Sequence, residues 1–322
     1  MAAKAKFELK LGPATREAFG KTLVELGREN KDIVVVDADL SKSTMTYGFS
    51  KEFPERFFTC GIAEANMVAI ASGLAAAGKI PFASSFSAFL LTKGFEQLRV
   101  TVAYPNFNVK LVGTHSGISI GEDGPSQMSV EDLALACSLP GFTVIAPADA
   151  VATSALVRAA AAMLGPVFIR TGRVKVPMVY PAEQQFEIGK AVELIEGTDV
   201  TLVAHGLMVA ESIRAAETLE AEGISARVVD MHTLKPLDRD AIRRAAAETG
   251  AIVVSEEHLV DGGLGVRVAQ AVAELHPCVM EFVGIQNTYA ESGTPDGLLD
   301  KYGMRAREVA AAARRALARK KL

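Results

Sequence analysis

The sequence predicts an α/β protein of two domains, each a mostly parallel sheet with helices on both faces. Three observations carry that expectation. Short β-branched runs alternate with longer Ala- and Leu-rich stretches along most of the chain, as in strand–helix units. The alternation breaks once, at 174–187, where Pro177, Pro181 and two glutamines fall together, and then restarts. The length of 322 residues suits two domains. The expected domains are residues 1–180 and 188–322.

In order, Thr15 caps a helix from Arg16 to Arg28, with Glu17 in its first turn. Asp32–Asp37 (DIVVVD) is a short buried strand. It ends in a hydroxyl-rich loop, Ala38 to Thr44, at the strand end where open α/β sheets bind ligands. An ordinary polar turn is the plain alternative. The run Phe57–Ile62 leads through Gly61 into a helix from Ala63 to Ala77 that stops at Gly78. This helix has no charge after Glu64 and is expected to be buried nearly all round. Glu64 is either a first-turn acid balancing the helix dipole or a sheltered functional carboxyl. A strand from Ile80 to Ser84 follows, running into Phe86 and Phe89 at the start of another helix. Taken alone, both rings read as core.

Asn108–His115 is the next strand, followed by a long loop with Gly117, Gly121, Gly124 and Pro125. Loops of this length often carry function, and His115, Asp123 and Gln127 are its candidate side chains. Ser129 with Asp132 opens a helix. Phe142–Pro147 is a strand, Ala150–Met163 a helix, and Pro166–Thr171 a strand with Arg170 at its carboxyl end and Arg173 beyond. An arginine there is an anion fork or a surface ion pair. The second domain repeats the pattern, with strands at 198–204, 224–230, 251–255 and near 279–284. Its helices are expected at 209–222, 238–249, 266–275 and 307–319. Gly262-Gly263-Leu264-Gly265 hints at phosphate on a helix N-terminus, but lacks the spacing of the dinucleotide fingerprint. Asp261-Gly262 with Asn287 imitates a metal–diphosphate motif without its leading glycine, and no Mg²⁺ ligand set stands out.

A net charge of −4 and a pI of about 5.8 argue against nucleic-acid or membrane-surface partners. Uncharged runs are too broken by Pro and Gly to span a bilayer. There is no apolar signal core at the start, so a cytoplasmic location is expected. Cys60, Cys137 and Cys278 are widely spaced and form no metal or redox motif.

Four stretches then add up. GIAEANMVAIASGLA, PFASSFSAFLLTKGFEQLR, THSGISIGEDGPSQMSVEDLA and FIRTGR, in this order, resemble the carboxyl-terminal half of transketolase. LKPLDRDAI and SEEHLVDGGLG look like that family's third domain. The resemblance covers the whole chain but omits the amino-terminal domain, which in this family holds the diphosphate and metal of thiamine diphosphate. It therefore implies a split-transketolase subunit, inactive alone. Its partner would be an amino-terminal transketolase subunit holding Mg²⁺ or Ca²⁺, in an α2β2 assembly, with a homodimer of this chain in isolation. Phosphorylated sugars would be the substrates, exchanging a two-carbon ketol unit.

By position, the resemblance assigns Glu64 to N1′ of the aminopyrimidine and Phe86 and Phe89 to the aromatic pocket around that ring. Thr92 stands where some members place a tyrosine, and Asp39 is a further pocket residue. Ser43, His115 and Arg170 match the substrate phosphate site. Asp123 matches a contact to a substrate hydroxyl. Gln127 replaces a histidine of other members, which favours hydrogen bonding over acid–base work. Glu64, Asp123 and Gln127 are thus the expected catalytic set. A carboxyl pushed up by desolvation is suited to hold the proton that N1′ requires. Related thiamine enzymes, of the deoxyxylulose-phosphate synthase or 2-oxo acid dehydrogenase type, share the acid and the fold. A non-catalytic regulatory subunit is the reading from another class.

Overall fold

A computed structural model describes residues 7–320. Among these residues the first sheet has seven strands. Their order is Thr233–Lys235, Thr143–Ile145, Val167–Arg170, Lys110–Thr114, Ile80–Phe86, Ile33–Asp37 and Phe57–Thr59. All neighbours are parallel except the first pair. The inner strands are buried on both faces because helices cover both sides, which explains their unbroken apolar runs. Phe82, Leu111 and Phe168 lose all solvent contact. Each such side chain contributes about 1.5–3 kcal/mol by leaving water. Successive strands are added on opposite sides of Ile33–Asp37, so a crevice opens at the carboxyl ends of that strand and Ile80–Phe86.

The second sheet has five strands, in the order Val279–Ile285, Ala251–Leu259, Val200–Ala204, Ala226–Asp230 and Val192–Ile195. The last pairs antiparallel. Its helices include Met208–Ala221, Arg239–Thr249, Leu264–Leu275 and Ala306–Lys320, close to their expected places. Leu11–Ala14 and Lys175–Pro177 form a small antiparallel pair.

Several local expectations are corrected. Thr15 lies inside the helix Thr15–Glu29, and its hydroxyl accepts the Gly172 N–H at 2.7 Å instead of capping. Ser129 does not cap the helix Asp132–Ser138, and Asp132 turns its carboxylate to Ser87 and Arg170. The Gly262–Gly265 turn offers no free anion site, because Glu256 accepts the N–H groups of Leu264 and Gly265 at 2.7 and 2.8 Å. Strand Thr233–Lys235 belongs by sequence to the second domain but pairs with Thr143–Ile145 of the first sheet. The helix Glu64–Ala76 is not buried all round. Asn66, Ala69, Ile70 and Gly73 face outward, and Ile62 just before it is 79% exposed. No helix among the described residues is long and apolar enough to cross a membrane.

Candidate active site

The crevice gathers an acid, three rings and two arginines. Glu64 opens its helix only 2% exposed. Its carboxylate accepts from the Ser85 hydroxyl at 3.3 Å and faces the Lys93 ammonium at 3.4 Å. The acid is therefore not the lone charge that its apolar helix suggested. The same ammonium lies 4.2 Å from the centre of the Phe89 ring, as a cation over an aromatic face.

Phe86 ends its strand and Phe89 follows one helical turn later, which brings the rings 5.6 Å apart and 13° from parallel. Phe86 stacks on the His115 ring as well, at 3.8 Å. A row of rings thus runs from the Glu64 end of the crevice to His115. His115 sits at the end of Lys110–Thr114 with φ of 56°. Its strained backbone and that of Asp39, at φ 65°, lie at the ends of the two strands that flank Ile80–Phe86, where such strain accompanies function.

The His115 tautomer follows from its partners. Nε2 lies 3.3 Å from Nη1 of Arg16, which can only donate, so Nε2 accepts and Nδ1 carries the hydrogen toward Thr114 Oγ1 at 2.8 Å. Burial, with the nearby guanidinium groups of Arg16 and Arg173, pushes the imidazole down to about 3. It is neutral at physiological pH. Arg16 also donates to the Ser43 carbonyl at 2.7 Å, so Ser43, Arg16 and His115 form one cluster. Arg173 donates to the Ile120 carbonyl and, at 3.0 Å, to Glu122. Asp37 shapes the adjacent loop by accepting from Leu40, Thr44 and Thr46.

The other expected residues stand apart. Arg170 is 7% exposed and spends its guanidinium on Asp132 at 2.8 Å and on the carbonyls of Ser129 and Glu257. It is a buried clamp and not an open anion fork. Thr92 is exposed and turns its hydroxyl back to the Ala88 carbonyl at 2.6 Å. Asp39 and Asp123 are exposed, and Gln127 is half-buried with Oε1 accepting from Ser126. Sequence reasoning left Arg16 and Arg173 out of the expected site, although both guanidinium groups lie near His115. The signal for Arg173 was present in FIRTGR, since the first arginine of that run is still within the buried strand. Arg16 gave no signal, because it meets His115 only across the fold.

A groove of about 730 Å³ lies between helices Thr15–Glu29 and Ala150–Ala162, but none of the candidate residues lines it. Among the described residues no group of three or more His, Cys, Asp or Glu is placed to hold a metal.

Residues 12–178 match the transketolase pyrimidine-binding domain and residues 189–309 the transketolase C-terminal domain. A putative transketolase C-terminal section of Methanocaldococcus jannaschii is 44% identical over 299 residues, 92% of this chain and 93% of that one. The 6-deoxy-6-sulfo-D-fructose transketolase subunit SqwH of a Clostridium species is 40% identical over 98% of both chains. A solved structure described as a split gene transketolase, inactive beta4 tetramer, aligns with a TM-score of 0.90 and 52% identity, covering 96% of this chain and all of the other.

Proposed function

The chain belongs to the transketolase family, as the subunit carrying that enzyme's carboxyl-terminal half, and from that premise we propose that it becomes active only when an amino-terminal-half subunit covers the Glu64 face. One observation carries this reading. A buried acid and a stacked ring pair stand beside a helix whose apolar outer face is uncovered. Thiamine diphosphate fits these residues through its aminopyrimidine end only. In this reading buried Glu64 holds a proton against N1′, while the stacked Phe86 and Phe89 offer flat faces that shed water. When bound, the cofactor supplies the electron sink for breaking a ketose between C2 and C3. The diphosphate and its Mg²⁺ or Ca²⁺ fall to the partner.

This chain's remaining residues handle the sugar. Arg16 and Arg173 replace Arg170 as the anion clamp, Ser43 and neutral His115 hold Arg16 in place, and Asp123 and Gln127 meet sugar hydroxyls. Two guanidinium groups read negative charge, so a terminal sulfonate suits them as a phosphate does. The relative named for a sulfonated ketose supports this breadth. The assembly proposed is α2β2. The relative described as an inactive beta4 tetramer supports self-association of this chain in isolation.

The test is reconstitution with an amino-terminal-half subunit. Ketol transfer from a ketose phosphate to an aldose phosphate should require both chains and thiamine diphosphate, and pyruvate should not serve as donor. Glu64→Ala should abolish it. Turnover by this chain alone, or full turnover in Glu64→Ala, refutes the proposal.

A further inference from the structure

The loop that carries Asp123 and Gln127 is held from the second domain. Glu257 on strand Ala251–Leu259 reaches across the domain boundary and accepts the Ser119 N–H at 2.6 Å. Gly117 has φ of 80°, and a Cβ there would lie 2.2 Å from the Glu257 carboxyl carbon. The carboxyl thus fills the space beneath the turn. The loop's far end is tied as well, since Leu259 donates its N–H to the Val130 carbonyl at 2.9 Å. Arg170 links the carbonyls of Ser129 and Glu257. On the outside Pro295 presses on Gly121, where a Cβ would come within 2.9 Å of its ring. Within its own domain the base of the loop is closed by the Gly117 N–H to Ser129 carbonyl bond of 2.8 Å.

We propose that Glu257 is a positioning residue for ketol transfer: through Ser119 it fixes the turn Gly117–Ile120, and with it Asp123 and Gln127, in the shape that receives the sugar. The second domain then sets sugar affinity while touching neither sugar nor cofactor. This rests on the reading that Asp123 and Gln127 meet the substrate. The competing account is that Glu257 only neutralises charge around Arg170. Reach and charge separate the two. Glu257→Asp keeps the charge but withdraws the carboxylate by one methylene. Glu257→Gln keeps the length and an accepting oxygen but loses the charge. Burial pushes the Glu257 carboxyl up to about 6, against the opposing charge of Arg170.

Two measurements decide. In the complex reconstituted with its amino-terminal-half partner, Glu257→Asp should raise KM for both sugar phosphates about tenfold, the loss expected for one charge-assisted hydrogen bond. The half-saturating thiamine diphosphate concentration should not move, and Glu257→Gln, which keeps a neutral hydrogen bond about half as strong, should stay within about threefold of wild type. In the chain alone, hydrogen exchange of the 117–120 amides should quicken about tenfold in Glu257→Asp and not in Glu257→Gln. The proposal is overturned if Gln is as damaging as Asp, if the cofactor requirement shifts together with KM, or if exchange is unchanged in the Asp variant. A wild-type complex that transfers no ketol unit defeats the functional reading, and the exchange experiment still decides whether the clamp exists.

Discussion

Replacing Arg170 separates the two accounts of that residue. The pair with Asp132 is 2.8 Å long, between a side chain 7% exposed and one that is fully buried. Arg28 and Glu52 make a bond of similar length, 2.6 Å, with 59% and 36% of their side chains exposed. Length therefore does not distinguish the pairs; solvent does. The surface pair is worth under about 1 kcal/mol. Arg170→Met leaves the dry Asp132 carboxylate with only the Ser87 hydroxyl and, 3.9 Å away, His258, and strands the Ser129 and Glu257 carbonyls. Removal of one partner of a buried pair costs about 3–5 kcal/mol. Burial alone pushes the Asp132 carboxyl up, but Arg170 and His258 outweigh it and hold the group below its ordinary value. A group depressed in the folded state gives its full stabilisation above its unfolded value and loses it as pH falls through the folded one. The effect is thus fully present at pH 7. Urea unfolding of the purified chain at pH 7 should show the loss, and Asp132→Leu combined with Arg170→Met should recover most of it. A loss under about 1 kcal/mol, with KM for sugar phosphates sharply raised, would restore Arg170 to the phosphate site and refute the clamp.

Lys93→Met frees the Phe89 face and the Glu64 carboxylate, so the reconstituted complex should bind thiamine diphosphate about fivefold tighter, the equivalent of one half-exposed ion pair. Weaker binding by calorimetry would show that the ammonium assists the cofactor. Burial, with the nearby Asp149 charge, pushes the Asp230 carboxyl up to about 8, against the opposing effect of the Tyr180 hydroxyl 2.6 Å away. A value raised on folding gives stability that is complete below the unfolded carboxyl value of about 4 and is lost as pH rises toward 8. Asp230→Asn should therefore gain on wild type in urea midpoint between pH 5 and 8.5, and equal differences at both pH values would contradict the assignment.

The alternation of β-branched and Ala-rich segments was enough to place the inner strands and the main helices, because burial on both faces leaves an unbroken apolar run. Short edge elements escaped notice. Val192–Ile195 and Thr233–Lys235 are too brief to show a period, and tertiary pairing alone makes them strands. The Glu64 helix was misjudged for a different reason. Its apolar composition suggested burial all round, whereas Ile62 and Ile70 are open to water in the single chain, as cover by the proposed partner requires. In the site, Glu64, Phe86 and His115 could be located at a strand end or helix start, but local context read them as a first-turn acid, a core ring and a loop candidate, and only the resemblance joined them. The Arg16–His115 contact spans 99 positions and leaves no trace in either neighbourhood.

Strand Thr233–Lys235 makes the halves of this polypeptide inseparable in practice. Cleavage near residue 180 would not release an independent first domain, because Thr143–Ile145 would be stripped of its neighbour and left as a raw margin seeking another chain. Shorter versions meant for crystallography or protein engineering must carry that borrowed segment along, or supply a substitute for it.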